Sequence, residues 1–242
     1  MPRSPPDYAR PGSLRPPRCS LSPIRALIFD RDGVLTHFDL PLLRAFFEPL
    51  VPLPLDQIAA RWQGWCELGA VPRTLGEEAR FWAEFWDRLA RELSLEPPVR
   101  DRLRAFDYTA SIRAFPESRS ALLGARGRGL RIGVLSNFPL ASLDASLAAA
   151  GLADLVHVAC SASVLGASKP APDSYLAVAR ALMVDPSECL LFDDEPPCVA
   201  GARAVGMRAF LVDRTRAQHS LGEHVVCSLD ALPKILDDAL AR

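Results

Sequence analysis

Short apolar runs alternate along much of this chain with stretches in which apolar residues recur at helical spacing. The apolar runs predict five strands: RALIFD, RIGVLSN, VHVACS, CLLFDD and RAFLVD. Helical spacing is found near residues 116–126, 139–150, 172–183 and 196–205. Strands that alternate with helices are typical of a parallel sheet covered on both faces. The pattern therefore predicts an α/β fold, a Rossmann-like parallel sheet sandwiched by helices.

A long interval, residues 38–110, interrupts this alternation. It predicts three helices and no strand: LPLLRAFFEPL, LDQIAARWQGWCEL and GEEARFWAEFWDRLARELSL. We interpret it as an all-helical domain inserted into a core domain made of residues 24–37 and 111–242. All four tryptophans lie in the insert, at positions 62, 65, 82 and 86, and are expected to form its core rather than to stack on a ligand. Residues 1–23, rich in Pro, Arg and Ser, predict a flexible tail.

Charge and composition narrow the class of partner. The chain has 28 Lys and Arg residues against 29 Asp and Glu residues, a formal net charge of −1, so neither nucleic acid nor a membrane surface is an expected partner. No run approaches the roughly 18 consecutive apolar residues of a membrane helix. The six dispersed cysteines contain no CxxC pair and are expected to be free thiols of a reducing compartment. We expect a cytoplasmic protein, either a monomer or a homodimer.

Acidic pairs follow two of the predicted strands. Asp30 and Asp32 follow RALIF, and in an extended chain residues two apart point to the same face. Asp193 and Asp194 end CLLFDD in the same way. Ligands of open α/β folds bind beyond the carboxyl ends of the strands, where these pairs would converge. Clustered carboxylates repel one another unless they share a proton or bind an oxygen-ligated divalent cation such as Mg²⁺.

Two further sites carry groups that suit an anion. Ser136 and Asn137 end RIGVLSN, and their hydroxyl and amide could hold phosphate oxygens or, alternatively, cap a helix. Lys169 lies in a loop before the helix that Pro172 would begin. Its ammonium group could neutralise a substrate phosphate or could simply be exposed. The chain has only one other lysine, Lys234, and this scarcity favours a functional role for Lys169.

Taken together and in this order, these segments resemble the four sequence motifs of the haloacid-dehalogenase superfamily. The matching residues are Asp30, Asp32, Gly33 and Val34 for the first motif, Ser136 for the second, Lys169 and Pro170 for the third, and Asp193 and Asp194 for the fourth. The helical insert resembles the helical, C1-type cap of the phosphoglycolate-phosphatase-like branch of this superfamily.

The resemblance implies a phosphatase that acts on a small phosphorylated metabolite. Asp30 would be the nucleophile that is transiently phosphorylated, and Asp32 would protonate the leaving group and then activate water. Mg²⁺ would be held by the Asp30 carboxylate, the Asp32 backbone carbonyl and Asp194, with Asp193 as a direct ligand or a helper. The phosphate would be bound by Gly33, Ser136, Asn137 and Lys169.

Three other functions are compatible with parts of this pattern. A phosphomutase shares all four motifs and is the main alternative. A haloacid dehalogenase is less expected, because those enzymes lack the second carboxylate of the first motif and this chain has Asp32. A binding module without catalysis is disfavoured, since every motif is intact.

Overall fold

A six-stranded parallel sheet forms the centre of the protein, seen in a computed structural model that describes residues 22–68 and 71–240. In chain order the strands are β1 (Ala26–Phe29), β2 (Thr36–Phe38), β3 (Ile112–Ala114), β4 (Arg131–Ser136), β5 (Val158–Ser161), β6 (Cys189–Asp193), β7 (Arg208–Val212) and β8 (Val225–Val226). The sheet order is β5-β4-β1-β6-β7-β8, so β1 lies in the middle. Most of the predicted tail, residues 1–21, lies outside the described residues.

The central strands are buried on both faces, as expected for a parallel sheet between two helical layers. Along β1, Leu27 and Phe29 pack into one hydrophobic cluster, whereas Ala26 and Ile28 pack into another on the opposite face. The alternation follows from the two-residue period of a strand. The predicted α/β sandwich is therefore confirmed.

Ten α-helices accompany the strands in the described part of the chain. They are α1 (Leu40–Phe47), α2 (Leu55–Leu68), α3 (Leu75–Glu92), α4 (Pro97–Arg104), α5 (Ser118–Gly127), α6 (Leu143–Ala149), α7 (Ala162–Leu165), α8 (Pro172–Ala181), α9 (Pro196–Ala204) and α10 (Leu232–Leu240). Short 3-10 helices lie at Tyr108–Ser111, Ala153–Leu155, Pro186–Glu188, Leu221–Glu223 and Leu229–Ala231. All five predicted strands and all seven predicted helices have counterparts here.

Helices α1 to α4 form the inserted layer, which we call the cap. Strand β2 precedes the cap in sequence and β3 follows it. The two strands form a separate antiparallel pair, with Thr36 opposite Ala114 and Phe38 opposite Ile112. Sequence reasoning missed this pair, because three-residue strands carry too little alternation to be recognised. The exact domain boundaries at 38 and 110 stay a prediction.

The cap tryptophans divide into two groups. Trp86 is 2% exposed and packs in the cap core, as predicted. Trp62 and Trp82 are half-buried and line a cavity shared with Phe138, which belongs to the loop after β4. The expectation that the tryptophans simply fill the core is therefore too simple for these two residues.

Two observations bear on cellular environment. Across residues 22–68 and 71–240, no helix has the length and apolar character needed to cross a bilayer. The cysteines in this part of the chain are free thiols: Cys66, Cys160, Cys189, Cys198 and Cys227.

Candidate active site

The sheet brings the predicted site residues to one edge. Asp30 directly follows β1, Ser136 ends β4 and Asp193 ends β6. Because β4 and β6 are the parallel neighbours of β1, their carboxyl ends meet there. The chain also switches sides of the sheet beside β1, which is where open α/β folds bind their ligands.

Lys169 lies at the centre of this group and is 4% exposed. Its Nζ atom is 2.8 Å from Asp30 Oδ1 and 2.7 Å from Asp193 Oδ2. Burial by itself lowers the pKa of Lys169, but the two carboxylates outweigh that effect and hold the pKa above its ordinary value. The side chain is thus a buried cation within the carboxylate cluster, and the alternative of an exposed lysine is wrong.

The pKa of the Asp30 carboxyl group is set by opposing influences. Burial, opposed by Lys169 and aided by the Asp193 carboxylate, raises the pKa of its carboxyl group to about 7. A carboxylate must be ionised to act as a nucleophile. The site therefore suits an additional positive charge beside Asp30.

Three carboxylates could bind a cation there. Oxygen atoms of Asp30, Asp193 and Asp194 all lie within 4.8 Å of one another. Burial, together with the neighbouring Asp193, also raises the pKa of Asp194. An all-oxygen donor set of this kind fits a hard divalent cation such as Mg²⁺.

The two acidic residues after β6 are engaged differently. Asp193 is fully buried, with Oδ2 on Lys169 and Oδ1 accepting a hydrogen bond of 3.0 Å from the Glu195 N–H. Asp194 is exposed on the site side. Asp193 therefore holds Lys169 in place, whereas Asp194 is the more accessible of the two carboxylates.

Asp32 lies outside the carboxylate cluster. The chain turns at Arg31, and the expectation that Asp30 and Asp32 project together stays a prediction. Arg31 is fully buried, and its Nη2 and Nε atoms donate to the Asp32 carboxylate at 2.6 Å and 3.1 Å. Arg31, which sequence reasoning missed, fixes the orientation of the Asp32 side chain. A metal contact from the Asp32 backbone carbonyl stays a prediction.

Ser136 and Asn137 have separate tasks. Ser136 Oγ accepts a hydrogen bond of 3.1 Å from the Phe138 N–H, which leaves the hydroxyl proton available to a ligand. It caps no helix, because α6 begins only after Ser142. The Asn137 amide accepts from Lys169 N at 2.8 Å and donates to Lys169 O at 2.9 Å. The Asn137 side chain thus holds the Lys169 loop, and its predicted phosphate contact stays a prediction.

The backbone conformation and the close neighbours of Gly33 require a glycine at this position. Its φ of +72° lies in the left-handed region, and a Cβ atom there would overlap the Asp194 carboxylate. Its N–H group donates to the Thr36 carbonyl at 2.9 Å, so this donor is already used within the loop. Gly33 therefore allows the first and fourth motifs to approach each other closely, and its predicted part in binding phosphate stays a prediction.

Arg214 supports the same loop from a distant part of the chain. Its guanidinium donates to the carbonyl of Gly33 at 2.7 Å and to that of Val34 at 2.6 Å, and it pairs with Glu117 at 2.8 Å. It also lies 3.3 Å from the centre of the Phe115 ring. No local sequence signal identifies this residue, because 181 positions separate it from Gly33.

Replacing Arg214 with Met is expected to loosen the loop that carries Gly33. Two carbonyl groups and Glu117 would lose their partner, which costs about 1–3 kcal/mol for each group left unsatisfied. We expect a clearly lower melting temperature and a lower kcat. The matched control is Arg216→Met, since Arg216 makes only exposed ion pairs with Asp213 and Glu223. Equal melting temperatures for the two variants would contradict this role.

The fold and the site define an α/β protein with a cluster of carboxylates around a buried lysine at the carboxyl edge of its sheet. The family model described as haloacid dehalogenase-like hydrolase matches residues 24–206. The chain belongs to this family.

Individual relatives refine the comparison. The chain is 44% identical over 217 residues to Phosphatase MT3486 of Mycobacterium tuberculosis (strain CDC 1551 / Oshkosh), which covers 89% of this chain and 98% of that protein. A HAD phosphatase from Thermococcus onnurineus superposes with a TM-score of 0.61 at 21% identity, over 88% of this chain and 98% of the other. A 2-haloacid dehalogenase from Pseudomonas syringae pv. Tomato DC3000 superposes with a TM-score of 0.63 at 21% identity, over 89% of this chain and 99% of the other. The two structural likenesses concern the fold alone.

Proposed function

We propose that this protein is a Mg²⁺-dependent phosphatase that hydrolyses a small phosphorylated metabolite through an aspartyl-phosphate on Asp30. The observation that carries the proposal is the buried Lys169 ammonium group between Asp30 and Asp193, beside Asp194. A phosphate dianion can approach such a cluster only if positive charge offsets the carboxylates. The name of the 44% identical relative, a phosphatase, supports the same activity.

The proposed reaction has two steps. In the first, an Asp30 oxygen forms a bond to phosphorus while the bond to the leaving oxygen breaks, and Asp32 gives that oxygen a proton. In the second, a water oxygen attacks the phosphorus while Asp32 takes a proton from the water; the bond between phosphorus and the Asp30 oxygen breaks, which regenerates the Asp30 carboxylate and frees inorganic phosphate. The Ser136 hydroxyl and Lys169 hold the phosphate oxygens.

Mg²⁺ would be held by the carboxylates of Asp30 and Asp194 and the backbone carbonyl of Asp32, with Asp193 as a helper. When bound, the ion supplies positive charge that lets the anionic nucleophile meet the anionic phosphate. The pairing of Asp32 with Arg31 leaves the acid/base carboxyl group out of the metal cluster, as separate chemical roles require.

Asp32 also favours hydrolysis of a phosphate ester over cleavage of a carbon–halogen bond. A dehalogenase needs no group to protonate a leaving alkoxide, because a halide leaves as a stable anion. Asp32 is held in a fixed orientation by the buried Arg31. This arrangement favours a substrate whose leaving group needs a proton, as a phosphate monoester does.

We also propose a cytoplasmic protein that acts as a monomer or homodimer and binds neither nucleic acid nor a membrane. The free cysteines support a reducing compartment. The formal net charge of −1 supports the absence of polyanionic partners.

Assays of phosphate and halide release test the proposed activity. With p-nitrophenyl phosphate and Mg²⁺ we expect release of inorganic phosphate, and excess EDTA should reduce the rate to background until Mg²⁺ is restored. A phosphomutase would instead pass the phosphoryl group to a second hydroxyl. Full activity in EDTA, or halide release from a 2-haloacid without phosphate release from any ester, would overturn the proposal.

A further inference from the structure

A cavity of about 250 Å³ lies between the cap and the loop that follows β4. We call it the aromatic cavity, because Phe38, Trp62, Trp82, Tyr108 and Phe138 form much of its wall. The cavity is partly open to solvent, and a water molecule occupies about 30 Å³ in the liquid. An engineered apolar cavity of about 150 Å³ accommodates benzene. The aromatic cavity therefore has room for a substituted ring.

The void is not a general packing defect of the cap. Trp86 forms part of its wall, and Trp86, Leu89 and Leu103 of the cap core are each at most 2% exposed. Trp62 and Trp82, by contrast, are half-buried and stack with ring centres 6.0 Å apart. Flat aromatic faces of this kind form a wall that suits another ring or an aliphatic group.

The cavity surface is apolar. The indole N–H groups of Trp62 and Trp86 have no hydrogen-bond partner, but both are buried and present no polar surface to the cavity. The Tyr108 hydroxyl lies 2.6 Å from Ser142 Oγ, and the Ser111 hydroxyl donates to the Tyr108 carbonyl at 2.6 Å. A sugar or polyol placed here would lose its hydrogen bonds to water without gaining replacements. An apolar group would lose nothing and would gain burial.

Phe138 joins this cavity to the candidate active site. Its N–H donates to Ser136 Oγ, its ring stacks on Trp62 with centres 5.4 Å apart, and the Arg31 guanidinium lies 4.0 Å above the ring. Arg31 in turn holds the Asp32 carboxylate. The Arg31 guanidinium thus contacts both the Asp32 carboxylate and a ring that lines the aromatic cavity. A leaving group whose oxygen receives a proton from Asp32 would lie next to this Arg31–Phe138 pair.

We propose that the aromatic cavity receives the leaving group of the substrate and selects phosphate monoesters of apolar, ring-bearing alcohols. This inference rests on the proposed phosphatase activity. It excludes small sugar phosphates as the preferred class, because their hydroxyl groups would meet an apolar wall.

Three esters of primary alcohols test the preference: 2-phenylethyl, ethyl and glycerol phosphate. We expect kcat/KM to be at least about tenfold higher for 2-phenylethyl phosphate than for either of the others, since only its ring reaches the cavity. Equal values, or a preference for glycerol phosphate, would overturn the inference while leaving the phosphatase proposal intact.

A cavity-filling variant sharpens the test. Ala59 lines the cavity from an exposed position on α2, so Ala59→Trp fills space without disturbing the core. We expect kcat/KM for 2-phenylethyl phosphate to fall at least about tenfold, with the value for ethyl phosphate nearly unchanged. Ala60→Trp is the matched control, since Ala60 is exposed on the same helix and does not line the cavity. The proposal that the cavity binds the leaving group would be contradicted if Ala59→Trp lowered kcat/KM equally for both esters. Equal effects of Ala59→Trp and Ala60→Trp would contradict it as well.

Isothermal titration calorimetry tests binding in the cavity independently of ester hydrolysis. We expect 3-phenylpropylphosphonate, which cannot be hydrolysed, to bind more tightly than propylphosphonate in the presence of Mg²⁺, and Ala59→Trp to remove that difference. If no ester is hydrolysed but this selectivity is found, the ligand class stands and the phosphatase proposal fails. If the two phosphonates bind equally, the ligand class is wrong even if esters are hydrolysed.

Discussion

Asp30→Asn is expected to abolish turnover, whereas Asp32→Asn should leave the first half of the reaction measurable with an activated substrate. An amide at position 30 cannot form an acyl phosphate, so we expect a loss of roughly four orders of magnitude and no burst of product. Asp32→Asn keeps the nucleophile and an oxygen acceptor for Arg31, but it loses the proton transfer.

Rapid-mixing kinetics with p-nitrophenyl phosphate distinguish the two variants. Nitrophenolate leaves without protonation, so Asp32→Asn should release about one equivalent per active site quickly and then turn over slowly, because hydrolysis of the intermediate still needs a base. An alkyl phosphate should show no such burst with this variant. Circular dichroism controls for folding. A burst from Asp30→Asn, or exchanged behaviour of the two variants, would show that nucleophile and acid/base are wrongly assigned.

Lys169→Met is expected to lower kcat by about a thousandfold, the usual effect of removing a charge that stabilises the transition state. Its loss also leaves Asp30 and Asp193 facing each other in a buried site without their shared cation. The variant should therefore melt at a lower temperature, and saturating Mg²⁺ should restore stability more strongly than in the unaltered protein.

Lys234→Met provides the matched control. Lys234 is the other lysine of the chain, and its side chain is 70% exposed, 3.7 Å from Asp238. Exposed pairs of this kind contribute little, so neither kcat nor melting temperature should change measurably. Similar small effects for the two lysine variants would contradict both the catalytic and the stabilising role of Lys169.

The fold and much of the site are predictable because the signals are local. Five apolar runs mark the strands, and Asp30, Ser136 and Asp193 lie where three of these strands end. Parallel strands bring such ends together whatever the loops between them do. Lys169 was identifiable from its rarity and from the proline that follows it.

Features that depend on distant or irregular contacts were not predictable. Arg31 is a neighbour of Asp32 in sequence, and strand alternation places neighbours on opposite faces. The turn at Arg31 removes that alternation and allows the pairing. The contact of Arg214 with the Gly33 carbonyl spans 181 positions, and the side-chain amide of Asn137 reaches the Lys169 backbone across 32. Such contacts depend on how loops pack in three dimensions.

The most direct measurement of the central claim is chemical identification of the phosphorylated residue. The protein is mixed with an aryl phosphate and Mg²⁺, quenched during turnover and reduced with borohydride, which converts an aspartyl-phosphate to homoserine. Peptide mass spectrometry then locates the change. We predict homoserine at position 30, in an amount that rises when Asp32→Asn slows the second step and vanishes in EDTA. Conversion at another residue, or none while phosphate release continues, would contradict the account.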